Sequence, residues 1–452
     1  MTALNSHAAA SREWRSNAFW KFLDVGAANA LRLLSTVVFA RRLGLEGFGS
    51  YAFAVMIVSI LVTVANLGLP TAASRFLAEA RSREAPRDEV AGIVNTIVRL
   101  RIITWIPAVV LLCVGIAFLR TPLVPQAGKF QVVGILAAIF LAQSASVLLE
   151  YSAAGLGMYR SLVLQASLPR EAVRLGGLIL ILVSPQPSAE LALLVEGAVW
   201  VVMAICISRL IVRQVGFRPK VARVSSHETW WFARHAAPVT VLSLGSDWLG
   251  AALAVLVGGK SFLAVYTVAW RCVALVLTIL PISGPALMPA LAQLSASERQ
   301  RFVREAFPRA MLITVAISAL VGLGTVLLLP SVFGRAYAPA ALLAIPLALT
   351  LPGRVLSPAM RQILLLHHRG WYATGSLVVG SICSTLIALL GRQMGTMGAA
   401  VGWGLVLGSV LELSINSVGI RSDGYQIPCA TVCPTLALFF AVGLIAWAAL
   451  VS

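Results

Sequence analysis

The sequence predicts an all-α polytopic membrane protein of about 12–13 transmembrane helices, arranged as two six-helix lobes. Three observations predict this. The 452 residues are 59% hydrophobic and 12% charged, with a mean hydropathy of +0.91, against about 25% charged in ordinary soluble domains. Apolar runs recur from Phe19 onward, each near the ~20 residues that cross a ~30 Å hydrocarbon core at ~1.5 Å per residue. The chain also matches itself without gaps at an offset of 215. Gly44 pairs with Gly259, Tyr51 with Tyr266, Ala54 with Ala269, Val58 with Val273, Thr63 with Thr278 and Pro70 with Pro285.

Taken in order, residues 1–18 read as a polar, frayed cytoplasmic tail. The first run, 19–42, is too long for a signal-peptide core and has no small-residue cleavage site after it, so it reads as a spanning helix. It meets a second run, 47–69, at the corner Gly44-Leu-Glu-Gly-Phe-Gly49. Further spans are expected at 101–119, 130–153, 163–184, 189–212, 232–257, 262–284, 309–330, 338–360, 371–391, 397–418 and 430–451. Residues 70–100 read as a surface amphipathic helix and a bend at Pro86, and 285–308 repeats that character. The resulting division is an N-lobe over 19–212, a basic cytoplasmic linker over 213–231, a C-lobe over 232–420 and an additional hydrophobic segment over 421–452. Parallel repeats of this kind place a substrate between lobes near the midplane.

The formal charge is +18, and its distribution explains it better than a nucleic-acid partner does. Twenty-two basic residues, from Arg12 and Arg15 through Arg99, Arg101, Arg218 and Arg301 to Arg421, fall in loops of one parity. Seven (Arg41, Arg42, Arg120, Lys129, Lys260, Arg335 and Arg392) fall in the others. The positive-inside rule then puts the N-terminus in the cytoplasm.

Ionisable residues within spans mark function, because charge in the hydrocarbon region is costly. Lys21, Asp24, Arg32 and Ser35 share one face of the first span. Lys21 can also snorkel to the interface with Asp24 as its neutraliser. The fifth span carries Arg170, Glu171 and Arg174 after Pro169, of which Glu171 and Arg174 form an i, i+3 pair. The seventh carries Thr240, Ser243 and Asp247, and the eighth Thr267, Arg271 and Thr278. An Asp247–Arg271 structural bridge is the alternative to a functional role for either. The tenth carries Arg354, Ser357 and Arg361, with Arg361 at the cytoplasmic edge. More guanidinium than carboxylate suits an anion, phosphate above all. Gly398, Gly402, Gly404 and Gly408 form two GxxxG spacings that favour close helix packing.

No GxSxG, GxxxxGK[ST] or HExxH motif occurs, so neither an enzyme nor an internal ATPase is expected, and no cofactor. Cys113, Cys206, Cys272, Cys383, Cys429 and Cys433 lack CxxC spacing and a nearby histidine set, which argues for packing residues and against metal or disulfide. His367 and His368 read as a solvated turn.

The stretches ARRLGLEGFGSYAF (40–53), LGLPTAASRFLAEA (67–80), VFGRAYAPAALLA (332–344) and GTMGAAVGWGLVLG (395–408) resemble the MOP flippase superfamily, in particular its polysaccharide-transport branch of Wzx-like oligosaccharide flippases. The resemblance extends in helix spacing over 19–420. It implies a MATE-like V of two lobes working by alternating access in the bacterial inner membrane. It also implies an undecaprenyl-pyrophosphate-linked oligosaccharide as substrate, carried to the periplasmic leaflet for surface polysaccharide biosynthesis, with glycan polymerase and export machinery as partners. By helix position, Arg32 and Arg271 would meet the pyrophosphate, joined by Arg354 and Arg174, while Asp24 and Asp247 would couple to an ion gradient. A multidrug cation antiporter of the same superfamily is the alternative, and would need an acidic or aromatic cavity. A membrane-bound polymerase or ligase would need a large outer catalytic loop, which the spacing of the runs does not leave.

Overall fold

The computed structural model describes residues 2–118, 129–216, 226–277, 296–366 and 369–422. Among the described residues every regular element is a helix. In chain order they are α1 (Thr2–Asn66), α2 (Leu69–Ser82), α3 (Arg87–Phe118), α4 (Lys129–Gly155), α5 (Tyr159–Leu162), a π-helical turn (Val163–Ser167), α6 (Leu168–Val183) and α7 (Ala189–Val215). Then follow α8 (Ser226–Leu277), α9 (Ala296–Phe333), a 3-10 turn (Arg335–Tyr337), α10 (Ala338–Leu349), α11 (Leu351–Leu366), α12 (Gly370–Gln393) and α13 (Met397–Ser422). Nine described stretches are long and apolar enough to span a bilayer, and the chain is a multi-pass membrane protein.

The longest such stretch, Leu23–Asn66, has 44 residues, about twice a membrane thickness at ~1.5 Å per residue. It is two arms bent at Gly44, whose φ of 69° and ψ of −176° lie in a region open essentially to glycine alone. The expected spans 19–42 and 47–69 are those arms. Likewise α8 bends at Gly259, with φ 71° and ψ −163°, which separates the expected 232–257 from 262–284. A Cβ at either glycine would meet nothing within 4 Å, so the requirement is one of backbone conformation and not of space.

Some boundaries differ from expectation. The helix begins at Thr2, because residues 2–25 hold no Gly or Pro and include Ala8, Ala9 and Ala10, all of which favour helix. The third span starts at Arg87, well before 101. Val90, Ile93 and Ile97 recur at helical spacing and are buried, so the helix continues through the polar stretch. The expected span 338–360 falls within one apolar stretch, Arg335–Arg361, in which α10 passes to α11 at Thr350, just before Pro352, which has no N–H for the preceding ladder. The expected segment 430–451, Pro285, His367, His368, Cys429 and Cys433 lie outside the described residues. The remaining cysteines, Cys113, Cys206, Cys272 and Cys383, are free thiols.

Contacts divide the chain into two units. The first comprises Met1–Leu43 and Phe53–Gly245, and the second Gly44–Ala52 and Ser246–Ser452. In the first, α2 buries Leu69, Ala72, Ala73, Phe76, Leu77 and Ala80 against Ile93 and Ile97 of α3, Leu148 of α4 and Met203 and Ile207 of α7. Its opposite face, with Arg75 and Glu79, is exposed, as the amphipathic pattern requires. In the second unit, Val303, Phe307 and Met311 of α9 pack with Leu356, Met360 and Ile363 of α11 and Leu413 and Ile420 of α13. Gly404 and Gly408 face the backbone of Ser384 and Gly380 so closely that a side chain there would collide with it. Ser384 Oγ donates to the Gly404 carbonyl at 3.0 Å. Small residues thus bring α12 and α13 together, as helices in lipid often require.

Candidate functional site

The first unit contains a run of buried charges on three helices. The π-helical turn Val163–Ser167 runs directly into α6, and Pro169 sits in the first turn of α6. Arg170, Glu171 and Arg174 follow, at 5%, 5% and 4% exposure. Glu171 joins the two arginines: Arg170 Nε donates to its Oε1 at 2.6 Å, and Arg174 Nε to its Oε2 at 3.0 Å. Arg170 Nη2 lies 3.6 Å from Asp24 Oδ1 on α1. Arg174 Nη1 donates to Glu196 Oε2 on α7 at 3.3 Å, and Trp200 Nε1 donates to Glu196 Oε1 at 2.9 Å. Three carboxylates therefore alternate with two guanidinium groups. Desolvation makes each isolated charge expensive, and the alternation offsets that cost.

Another buried cation, Arg101 of α3, is 1% exposed. Its Nη1 donates to the Ala65 carbonyl at 2.5 Å and its Nη2 to Asn66 Oδ1 at 2.5 Å, at the carboxyl end of α1, and Nη2 also bonds Ser144 Oγ on α4. Trp105 Nε1 donates to the same hydroxyl at 2.7 Å. A guanidinium here satisfies carbonyls that the helix end leaves open and complements its dipole. The loop position expected for Arg101 is thus corrected: α3 begins fourteen residues earlier and carries it inside.

The sequence-predicted residues fall as follows. Asp24 and Arg174 belong to the α1–α6–α7 run. Arg32 is half-buried on α1, two turns beyond Asp24. Ser35 Oγ donates to the Leu31 carbonyl and Thr36 Oγ1 to the Arg32 carbonyl, each at 2.8 Å, so these hydroxyl protons serve the helix itself. In the second unit, Arg271 is half-buried on the second arm of α8. Its neighbour Trp270 takes the Arg354 guanidinium over its ring at 4.4 Å, a cation–π contact that ties α8 to α11. The side chain of Asp247 lies outside the described residues. Arg361, expected at the membrane edge, is 7% exposed and bonds Glu412 Oε2 on α13 at 3.2 Å.

Sequence reading missed Arg101, Glu196 and Glu412 as buried charges. Glu196 and Glu412 each stand alone among apolar neighbours, in LALLVEGAVWVV and GSVLELSI, and that isolation was the available signal. Among the described residues no group of three His, Cys, Asp or Glu side chains stands close enough to hold a metal.

The fold has structural relatives among solved membrane proteins. The fold is similar to an inward-facing multidrug resistance MATE family transporter of the MOP superfamily. The TM-score is 0.63 at 16% identity, covering 90% of this chain and 98% of that one. It is similar to the lipid II flippase MurJ in an inward closed conformation, with TM-score 0.64 at 12% identity over 96% and 92%. It is similar as well to a MOP superfamily transporter from Pyrococcus furiosus, described as having a binding pocket of reverse polarity, with TM-score 0.63 at 16% identity over 91% and 95%. No protein of curated function matches the chain in sequence. The family described as polysaccharide biosynthesis protein matches residues 15–295, and the chain belongs to that family.

Proposed function

We propose that this protein is a flippase that carries an undecaprenyl-pyrophosphate-linked oligosaccharide from the cytoplasmic to the periplasmic leaflet by alternating access. Membership of the polysaccharide biosynthesis family over residues 15–295 carries the reading. Likeness to a lipid II flippase supports the transport class. The working parts are an N-lobe over 19–212 and a C-lobe over 232–420, in an inner membrane with the N-terminus cytoplasmic and glycan polymerase and export machinery as partners. Arg32, Arg271 and Arg354 receive the pyrophosphate. A planar fork offers paired N–H donors to phosphate oxygens, and each charge-assisted bond contributes roughly 1.5–3 kcal/mol. Arg174 completes the proposed set, oriented by Glu171 and Glu196, to which it donates. Asp24 and Asp247 couple the cycle to an ion gradient.

The test is glycan export in a strain lacking the native protein, with membrane level measured separately. Arg32→Ala and Arg271→Ala should each lower export tenfold or more, since ~1.4 kcal/mol is one decade. Lysine should restore only part, keeping charge without the fork. Normal export by both alanine variants would remove the anionic-headgroup reading and favour a multidrug exporter.

A further inference from the structure

The hairpin of α12 and α13 ends in an aromatic and cationic rim that the proposed headgroup set does not use. The two helices run antiparallel. Gly404 lies beside the backbone of Ser384, Gly408 beside that of Gly380, and Gly419 beside the Tyr372 ring. Continued by two residues, that progression brings Arg421 level with Gly370, the neighbour of Arg369. Both arginines therefore stand at one end of the hairpin, where the apolar stretches Gly370–Gln393 and Gly398–Ser422 stop. Arg421 is exposed. Trp371, at the same level, is 62% exposed, yet it is held in place. Its ring stacks on Tyr372 with centroids 3.6 Å apart, and Tyr372 packs on the buried cluster of α9, α11 and α13. Along the rest of α12, Val378, Val379, Ile382, Leu386 and Leu390 form an exposed apolar stripe. The one carboxylate within α12 and α13 is Glu412, which Arg361 engages. Asp423 lies outside the described residues, and counting it still leaves the Arg369 and Arg421 pair in excess.

We propose that this rim seats an anionic phospholipid of the surrounding bilayer. Arg369 and Arg421 take its phosphate, Trp371 lies at headgroup depth, and the acyl chains run along the α12 stripe. Tryptophan favours that depth, where its apolar ring and its N–H each find a suitable environment. Basic residues clustered at the end of a span attract anionic headgroups, and a guanidinium fork matches phosphate oxygens. A small soluble anion would leave the stripe uncovered, and an apolar protein partner would desolvate two charges without pairing them. The seat shares no residue with the proposed headgroup set, and it depends neither on the transport reading nor on the orientation of the chain.

The test uses full-length protein in detergent, titrated with phosphatidylglycerol or phosphatidylcholine carrying brominated acyl chains, which quench nearby indoles. Comparison with Trp371→Phe isolates the signal of that ring. Phosphatidylglycerol should quench it at lower concentration than phosphatidylcholine, and added salt should narrow the difference. Arg369→Gln combined with Arg421→Gln should weaken the phosphatidylglycerol response about tenfold or more and leave the phosphatidylcholine response unchanged. The corresponding double lysine variant, which keeps both charges, should retain the preference. Equal responses of the wild-type ring to the two lipids overturn the proposal whether or not the glutamine variant folds. So does a folded glutamine variant that still prefers phosphatidylglycerol as strongly as wild type.

Discussion

Gly44 and Gly259 stand 215 residues apart and hold nearly one backbone conformation, φ 69°, ψ −176° and φ 71°, ψ −163°. Each turns a long helix into two arms at the same register of the repeat. Because a Cβ at either site would meet no atom within 4 Å, the repeat preserves a dihedral requirement. Gly44→Ala and Gly259→Ala should each cost about 1–3 kcal/mol, the penalty of forcing a side chain into that region. Gly26, also in open space but with ordinary helical φ, is the control, and Gly26→Ala should gain roughly 0.5–1 kcal/mol. Unfolding in detergent measures all three, and equal effects would break the argument.

The buried run on α1, α6 and α7 makes Glu171 its hinge, since both Arg170 and Arg174 donate to it. Glu171→Ala leaves two buried cations short of a partner, and loss of about 3–5 kcal/mol is expected, as when one member of a buried pair is removed. A thermal-shift measurement on the purified variant checks this. A change near zero would mean that water reaches the site.

Arg101 of α3 binds α1 and α4 through neutral acceptors, so shape counts as well as charge. Arg101→Met should leave the Ala65 carbonyl and Asn66 side chain wanting donors, at about 1–3 kcal/mol for each unsatisfied group. Asn66→Ala should cost less, because one bond of the set is lost. If Arg101→Lys equals wild type in unfolding temperature, the fork geometry is irrelevant.

Orientation has its own test. The loop bias predicts that Arg301 faces the cytoplasm and Arg335 the opposite side. Single cysteines at those positions, in a background without other thiols, should react with an impermeant reagent in intact cells only at position 335. Labelling at 301 would invert the topology.

Hydropathy made the helical class legible, and the 215 offset made both glycine corners legible, because the conformation at each depends on the local residue. Amphipathic α2 was legible for the same reason. The partners of charges were not. Arg101 lies in IVRLRIITW, where a basic pair reads as a loop. Its acceptors come from 35 to 43 residues away in the chain, and only the packing of α1, α3 and α4 collects them. Arg361 and Glu412, 51 residues apart, met through the packing of α11 on α13, a long-range fact that no local spacing encodes. The Glu171–Arg174 pair, at i, i+3, was readable, whereas its continuation to Asp24 and Glu196 was not.

The central claim is translocation of a pyrophosphate-linked glycan lipid, and purified protein in proteoliposomes tests it most directly. A labelled lipid-linked oligosaccharide is placed in both leaflets, and its access to an external glycosidase is followed over time. The account predicts that wild-type protein exposes the inner-leaflet pool, while Arg32→Ala and Arg271→Ala do so at least tenfold more slowly. Wild-type vesicles that leave the inner pool protected under an imposed ion gradient, yet extrude a cationic dye, would contradict it.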